Sequence, residues 1–159
     1  MSTSERAFLR HTLATLAYRG GKVVRDAPSH FAGYPVAADS RTPGRILAHI
    51  NDLLDWALSM ARGEQRWQDS APQQWDLEVA RFFTALGQLD TYLAGEEPLR
   101  SSAERLFQGP IADALTHVGQ LAMLRRLAGS PVAGENYTKA NIVVGRVGTD
   151  QTPPRVEFG

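Results

Sequence analysis

The sequence predicts an all-α fold, an antiparallel four-helix bundle with an extended C-terminal arm, on three observations. Four segments carry apolar residues at helical period. Gly and Pro punctuate the stretches between them. The last thirty residues change character, scattering branched aliphatics among Gly, Pro and Asn. The 159 residues suit a single domain, with the bundle over about residues 4–129 and the arm over about 130–159.

The first helix is expected from near Ser4 to about Asp26, with Leu9, Leu13, Leu16, Gly20 and Ala27 on one face. The Gly20-Gly21 pair costs about 1 kcal/mol per glycine against alanine. The stripe stays in phase across the pair, which predicts a close helix–helix contact there and not a break. Pro28 ends the segment, and Phe31 and Tyr34 are expected to pin the following loop. The second helix opens at Thr42-Pro43, an N-cap followed by a proline at the first helical position, and stops at Gly63. Its inward face reads Ile46, His49, Ile50, Leu53, Trp56, Ala57 and Met60.

A polar loop over residues 64–74 leads to the third helix. There Trp75, Val79, Phe82, Leu86, Leu89 and Leu93 alternate spacings of four and three, the seam of bundled helices. Ser101 and Glu104 form a capping-box pattern for a short turn through Phe107. Gly109-Pro110 is expected to restart the chain as the fourth helix, which runs to about Ala128 before Gly129. Arg125 and Arg126 suit its negative end and are expected in solvent. In the arm, Ile142, Val143, Val144, Val147, Val156 and Phe158 predict an ordered segment covering part of the bundle, with one short strand at most.

Composition excludes several classes of function. Seventeen basic residues balance seventeen acidic ones, so neither nucleic acid nor an acidic membrane is an expected partner. The chain has no cysteine, which removes disulfides, thiolate nucleophiles and Cys-ligated metals. No apolar run approaches the roughly 20 residues that span a bilayer. Glu5, Arg6, Arg10 and His11 interrupt any signal-peptide core, so a cytoplasmic location is expected. Trp67, Trp75 and the Val-rich arm add apolar area beyond the bundle's stripes, and a homodimer is expected from it.

Polar residues on buried faces carry the chemistry. His49 lies near the centre of the stripe made by Ile46, Leu53, Trp56 and Met60. His117 is flanked by Ala114, Leu121 and Leu124. Asp113 precedes it by four residues on the same face, and Gln120 follows it. An imidazole and a carboxylate at this spacing can clasp a divalent cation, and an imidazole from a facing helix completes three ligands with room for water. Each residue also has a structural reading. A histidine on an apolar face is commonly a hydrogen-bonded core residue. A carboxylate in the first turn after Pro110 is favoured by the helix dipole whatever the function. His11 and His30 read as surface or loop residues. Asp52 and Asp55 point away from the stripe and read as solvated or as outer partners of the site. No Ser-His-Asp arrangement and no phosphate cradle emerges.

The stretches RILAHINDLLDW and DALTHVGQLAMLRRLAG resemble the DinB-like superfamily of bacterial four-helix bundles (DNA-damage-inducible-protein-like, YfiT-like) over about residues 4–129. That family's motif is one His on the second helix and an H-x-x-x-H pair on the fourth, binding Zn, Ni or a related divalent metal. His49 matches the first position and His117 the last. Asp113 stands where the family usually has His, which leaves metal identity and affinity open. The resemblance implies metal ligands His49, Asp113 and His117; Gln120 and Trp56 on the same faces, and Tyr137 where the arm returns near the bundle's open end, are expected as outer or pocket residues. Members with known activity include thiol-dependent S-transferases and a mycothiol-dependent maleylpyruvate isomerase. The implied function is therefore a metal-dependent S-transferase using a low-molecular-weight thiol, or a hydrolase, acting on a small molecule; no catalytic residue is assigned. The alternative is a non-catalytic bundle that binds a ligand or partner, with the polar trio as a hydrogen-bonded cluster.

Overall fold

The computed structural model describes residues 3–159. Three long helices are α1 (Thr3–Val24), α2 (Pro43–Arg62) and α3 (Trp75–Ala94). The local signals act as expected for α2. The Thr42 hydroxyl accepts from the Arg45 N–H at 3.4 Å, and Gly63 closes the helix at φ 83°, where a β-carbon would be strained.

The fourth rod differs from the sequence reading. α4 (Ala103–Leu106) is capped by Ser102, not Ser101, and passes through a π-turn (Phe107–Ile111) into α5 (Ala112–Leu127). Pro110 sits inside this widened turn and does not start a helix. The π-turn accommodates both the proline ring and its missing N–H, so the chain stays helical on both sides.

The helices form a ring in the order α1, α3, α2, α5, with α1 diagonal to α2 and α3 diagonal to α5 among the described residues. α1 and α3 run antiparallel: Arg10 pairs with Asp90, and Gly20 lies on Phe82. α2 and α5 are also antiparallel. The neighbours α2 and α3, however, run in the same direction. Asn51 meets Glu78, Asp55 meets Arg81, and Ala61 meets Tyr92. The neighbours α1 and α5 also run in the same direction, with Phe8 beside Phe107 at one end and Val23 meeting Arg125 at the other, so the four-helix bundle is as predicted but two of its four adjacent pairs are parallel. The reason for the α2–α3 direction is the connection over residues 63–74. Twelve extended residues reach roughly 40 Å, more than the about 30 Å of a 20-residue helix. The segment runs back along α2, Arg66 bonding Ser59 and Ser70 bonding Asp52.

The core is continuous through all four rods. Gly20 permits the closest approach: a β-carbon there would lie 2.6 Å from Cζ of the fully buried Phe82. The expected tight contact at the glycine pair is therefore present. Phe31 plugs one end of the bundle edge-on to Trp75, ring centroids 5.3 Å apart, and the Tyr34 hydroxyl donates to the Leu127 carbonyl at 3.1 Å. Trp75 is thus covered from within. Trp67, Val143, Val144, Val156 and Phe158 remain exposed of the surface behind the expected homodimer.

The arm lies along α1 and forms one two-residue ladder, β1 (Gly134–Glu135) with β2 (Glu157–Phe158), antiparallel. Of its branched aliphatics and Phe158, only Val147 is buried. Polar contacts hold the arm more than the aliphatic surface does. Glu135, buried, accepts from the Tyr18 hydroxyl and from Lys22 Nζ at 2.9 Å, and Lys22 also reaches Glu157 at 2.8 Å. Ending the chain at Gly134 strips these partners and uncovers the Val147 site. The expected result is a loss of about 2–4 kcal/mol in denaturant unfolding, from a severed buried ion pair and a lost core side chain. Unchanged unfolding would mean that the arm contributes nothing to the bundle. No helix among the described residues is long and apolar enough to cross a membrane.

Candidate metal centre

α2 and the start of α5 bring His49, Asp113 and His117 together. His49 Nε2 lies 3.6 Å from one Asp113 oxygen, and His117 Nε2 lies 3.4 Å from the other. The three donor atoms lie within 4.8 Å of one another, so the group is able to hold a metal ion. The spacing is informative. Hydrogen bonds of this type close to about 2.7–3.2 Å. Two donors each about 2.1 Å from a tetrahedral ion stand roughly 3.4 Å apart. Each nitrogen–oxygen separation exceeds the first figure and lies near the second, while the widest donor pair, at up to 4.8 Å, would close by at least about half an ångström around a shared ion.

The neighbouring groups orient the ligands. Gln120 Oε1 lies 2.7 Å from His117 Nδ1; with Nδ1 as the donor in this bond, Nε2 is the ring nitrogen that faces Asp113. Gln120 follows His117 by three residues on the same face of α5, which delivers this contact by helix geometry alone. His49 Nδ1 is buried and has no hydrogen-bond partner. Its ring is held by packing, edge-on to His117 at 4.8 Å and to Trp67 at 5.7 Å. Asp113 is the open side, its side chain 46% exposed. The π-turn bears on its role. Because the helix is continuous from Ala103, Asp113 sits well inside the rod, and a free helix N-terminus no longer accounts for the carboxylate.

Burial lowers the His49 pKa from its ordinary value of 6.5, with the Arg41 charge and then His117 acting the same way; Asp113 opposes them. The neutral, ligating form is thereby favoured. In metal-free protein the His49 imidazole is expected to titrate with a midpoint below 6.5, read by its ring-proton NMR shifts. A midpoint at or above that value would mean the carboxylate outweighs burial. The unfolded chain takes up this proton more readily than the folded one, so the His49 contribution is lost as pH falls below about 6.5.

The remaining sequence candidates separate clearly. Trp56 stands behind the site through Trp67, the two rings edge-on at 5.7 Å. Tyr137 lies elsewhere: its ring is 6.2 Å from Tyr18 and beneath the Arg19 guanidinium, on α1, because the arm follows α1 and not the α2–α5 face. His11 and His30 are exposed, as expected.

Asp52 is fully buried, contrary to the solvated alternative. It accepts from Ser70 N at 2.8 Å, Ser70 Oγ at 2.7 Å and Arg81. Asp55 shares Arg81 at 2.9 Å. Glu78, also fully buried, accepts from Asn51 Nδ2 at 2.8 Å and Gln73 N at 3.0 Å. This network fixes the returning segment that lays Trp67 beside His49. Its signal in the sequence is a pair of acids three apart on α2 opposite Glu78 and Arg81 three apart on α3.

Two cavities flank the centre. One, of about 390 Å³, opens between α2 and the returning segment and is walled by Arg41, Arg45, His49 and Asp69. The other, of about 590 Å³, lies over α5 and is walled by His117, Gln120 and a set of apolar side chains. Both fall in the size range of small-molecule sites. Compared with family models, curated proteins and solved structures, the chain matches none.

Proposed function

We propose that the protein is a divalent-metal-dependent enzyme of the DinB-like type, acting on a small molecule by thiol-dependent S-transfer or by hydrolysis, with zinc or nickel as the cation. The observation that carries this reading is the pair of imidazole Nε2 atoms set 3.4 and 3.6 Å from the two oxygens of one carboxylate. Those separations are longer than close hydrogen bonds and leave room for an ion among the three residues.

His49, Asp113 and His117 would hold the cation, and half-exposed Asp113 leaves one side open to solvent and substrate. A divalent cation held there supplies Lewis acidity, lowering the pKa of a water or thiol that reaches it. The chain's own groups prepare the site. Gln120 holds the His117 ring through Nδ1, burial and Arg41 favour the neutral form of His49, and Trp67 packs against His49 on the α2 side. The chain carries no cysteine, so in the transferase version the thiol comes from a low-molecular-weight co-substrate.

Metal analysis tests the reading. Protein purified without chelators is expected to carry near-stoichiometric zinc or nickel, or to take it up on titration. Protein that neither retains nor takes up either metal would overturn it.

A further inference from the structure

We propose that the substrate or co-substrate of this centre is an amphiphilic organic anion, its carboxylate held by Arg41 and Arg45 beside His49 and its apolar part laid on the wall beside His117. The inference rests on the metal-centre reading and names the class of molecule that reaches it.

Three observations converge. First, Arg45 precedes His49 by one turn on the same face of α2, Arg41 lies just before the N-cap Thr42, and all three side chains line the smaller cavity. No hydrogen bond or ion pair engages either guanidinium among the described residues, and Arg41 lies close enough to disfavour the charged imidazole. Second, the acids in that wall do not cancel them. Asp52 is committed to Ser70 and Arg81, which leaves Asp69 against two arginines, and the positive end of α2 adds to the excess. Asp39 lies in the larger cavity, without an ion pair to Arg41.

Third, the larger cavity is apolar where it leaves the centre. Ile46 and Leu124 form its floor, and Val36, Met123 and Leu127 its rim; Met123 is 66% and Leu127 59% exposed. Exposed aliphatic area of this kind marks a binding surface. Arg41 belongs to both walls, with His49 in one and His117 in the other. A molecule with its anionic end at Arg41 and its chain over Leu124 would therefore pass the imidazoles of both His49 and His117. A guanidinium pair suits a planar carboxylate, which it can engage through two parallel N–H donors.

The test uses octanoate, octan-1-ol and acetate as probes in calorimetric titrations of zinc-loaded and zinc-free protein. Octanoate is expected to bind at least tenfold more tightly than either octanol or acetate. In the Arg41→Gln/Arg45→Gln variant, saturated with zinc, the preference for octanoate over octanol is expected to fall toward one. Equal binding of octanoate and octanol by wild-type protein overturns the proposal. So does a preference that survives in the double variant, since the carboxylate would then sit on zinc. Loss of octanoate binding in Met123→Asp together with conversion of a dimer to a monomer by light scattering also overturns it, because the apolar rim would then be a subunit interface. The two readings fail separately. Absence of zinc uptake removes the metal centre while the zinc-free titration still reads the arginines; lost discrimination with zinc bound removes only the anion site.

Discussion

His49→Ala is expected to abolish stoichiometric metal binding while leaving the bundle folded. The imidazole supplies one of three donors and the only one from α2, so its loss leaves Asp113 and His117 on a single helix, four residues apart. Two donors of which one is half exposed compete poorly with water. The expected loss in affinity exceeds the roughly 10–100-fold that removal of an outer partner causes. Gln120→Ala provides that smaller step, because it frees the His117 ring without removing a ligand. Asp113→His is expected to keep a site, since an imidazole there reaches the same space and brings the set to three nitrogens. Competition titration against a chromophoric chelator orders the variants. His49→Ala binding metal as tightly as the wild type would remove His49 from the site. Helical content and unfolding midpoint serve as controls, because the His49 side chain is only partly buried and its Nδ1 bonds to nothing.

The parts of this site that were legible in the sequence are those set by local periodicity. His49 and His117 fall on apolar stripes, and Asp113 and Gln120 share the His117 face by spacing alone; each of these follows from 3.6 residues per turn. The caps at Thr42 and Gly63 are equally local. What escaped depends on contacts far apart in the chain. A polar loop of twelve residues permits either a tight antiparallel return or a full crossover, and the crossover is selected by Ser70 and Arg81 meeting Asp52. Asp52 and Asp55 look solvated on α2 taken alone because their cation is on α3. The π-turn at Pro110 has no distinctive local sequence: Gly109-Pro110 reads as a helix start, and only packing on both sides carries the helix through. The same difficulty hid the arm's path, where Glu135 and Lys22, and not the valines, fix the docking.

Arg125→Ala is expected to produce the largest loss of stability of any single substitution at a helix end in this protein. The sequence places Arg125 in the last turn of α5, where a basic residue ordinarily extends into water. Here it is 4% exposed and serves a different helix. Its Nη1 donates to the carbonyls of Val23 at 2.9 Å and Arg25 at 2.8 Å, Nη2 to Asp26 at 3.4 Å, and Nε to Ser130 at 2.8 Å. Nη2 also reaches Ser130 Oγ at 3.0 Å, and the guanidinium lies over Phe31 with its carbon 5.7 Å from the ring centre. α1 ends without a glycine cap; Asp26 takes φ 52° in its place. The orphan carbonyls at that end are satisfied by one guanidinium. Its removal leaves several of them buried without donors, at about 1–3 kcal/mol for each that water cannot reach, and opens a void above Phe31. A loss of about 3 kcal/mol or more is expected in denaturant unfolding, with a fall in Tm of the order of 10 °C. Arg125→Lys recovers only part, since an ammonium cannot reproduce the fork of donors. Metal stoichiometry should be retained in both variants, because Arg125 follows His117 by eight residues and touches none of the ligands. A loss below about 1 kcal/mol would mean that the carbonyls find other donors, and the end of α1 would then be held by Phe31 packing alone.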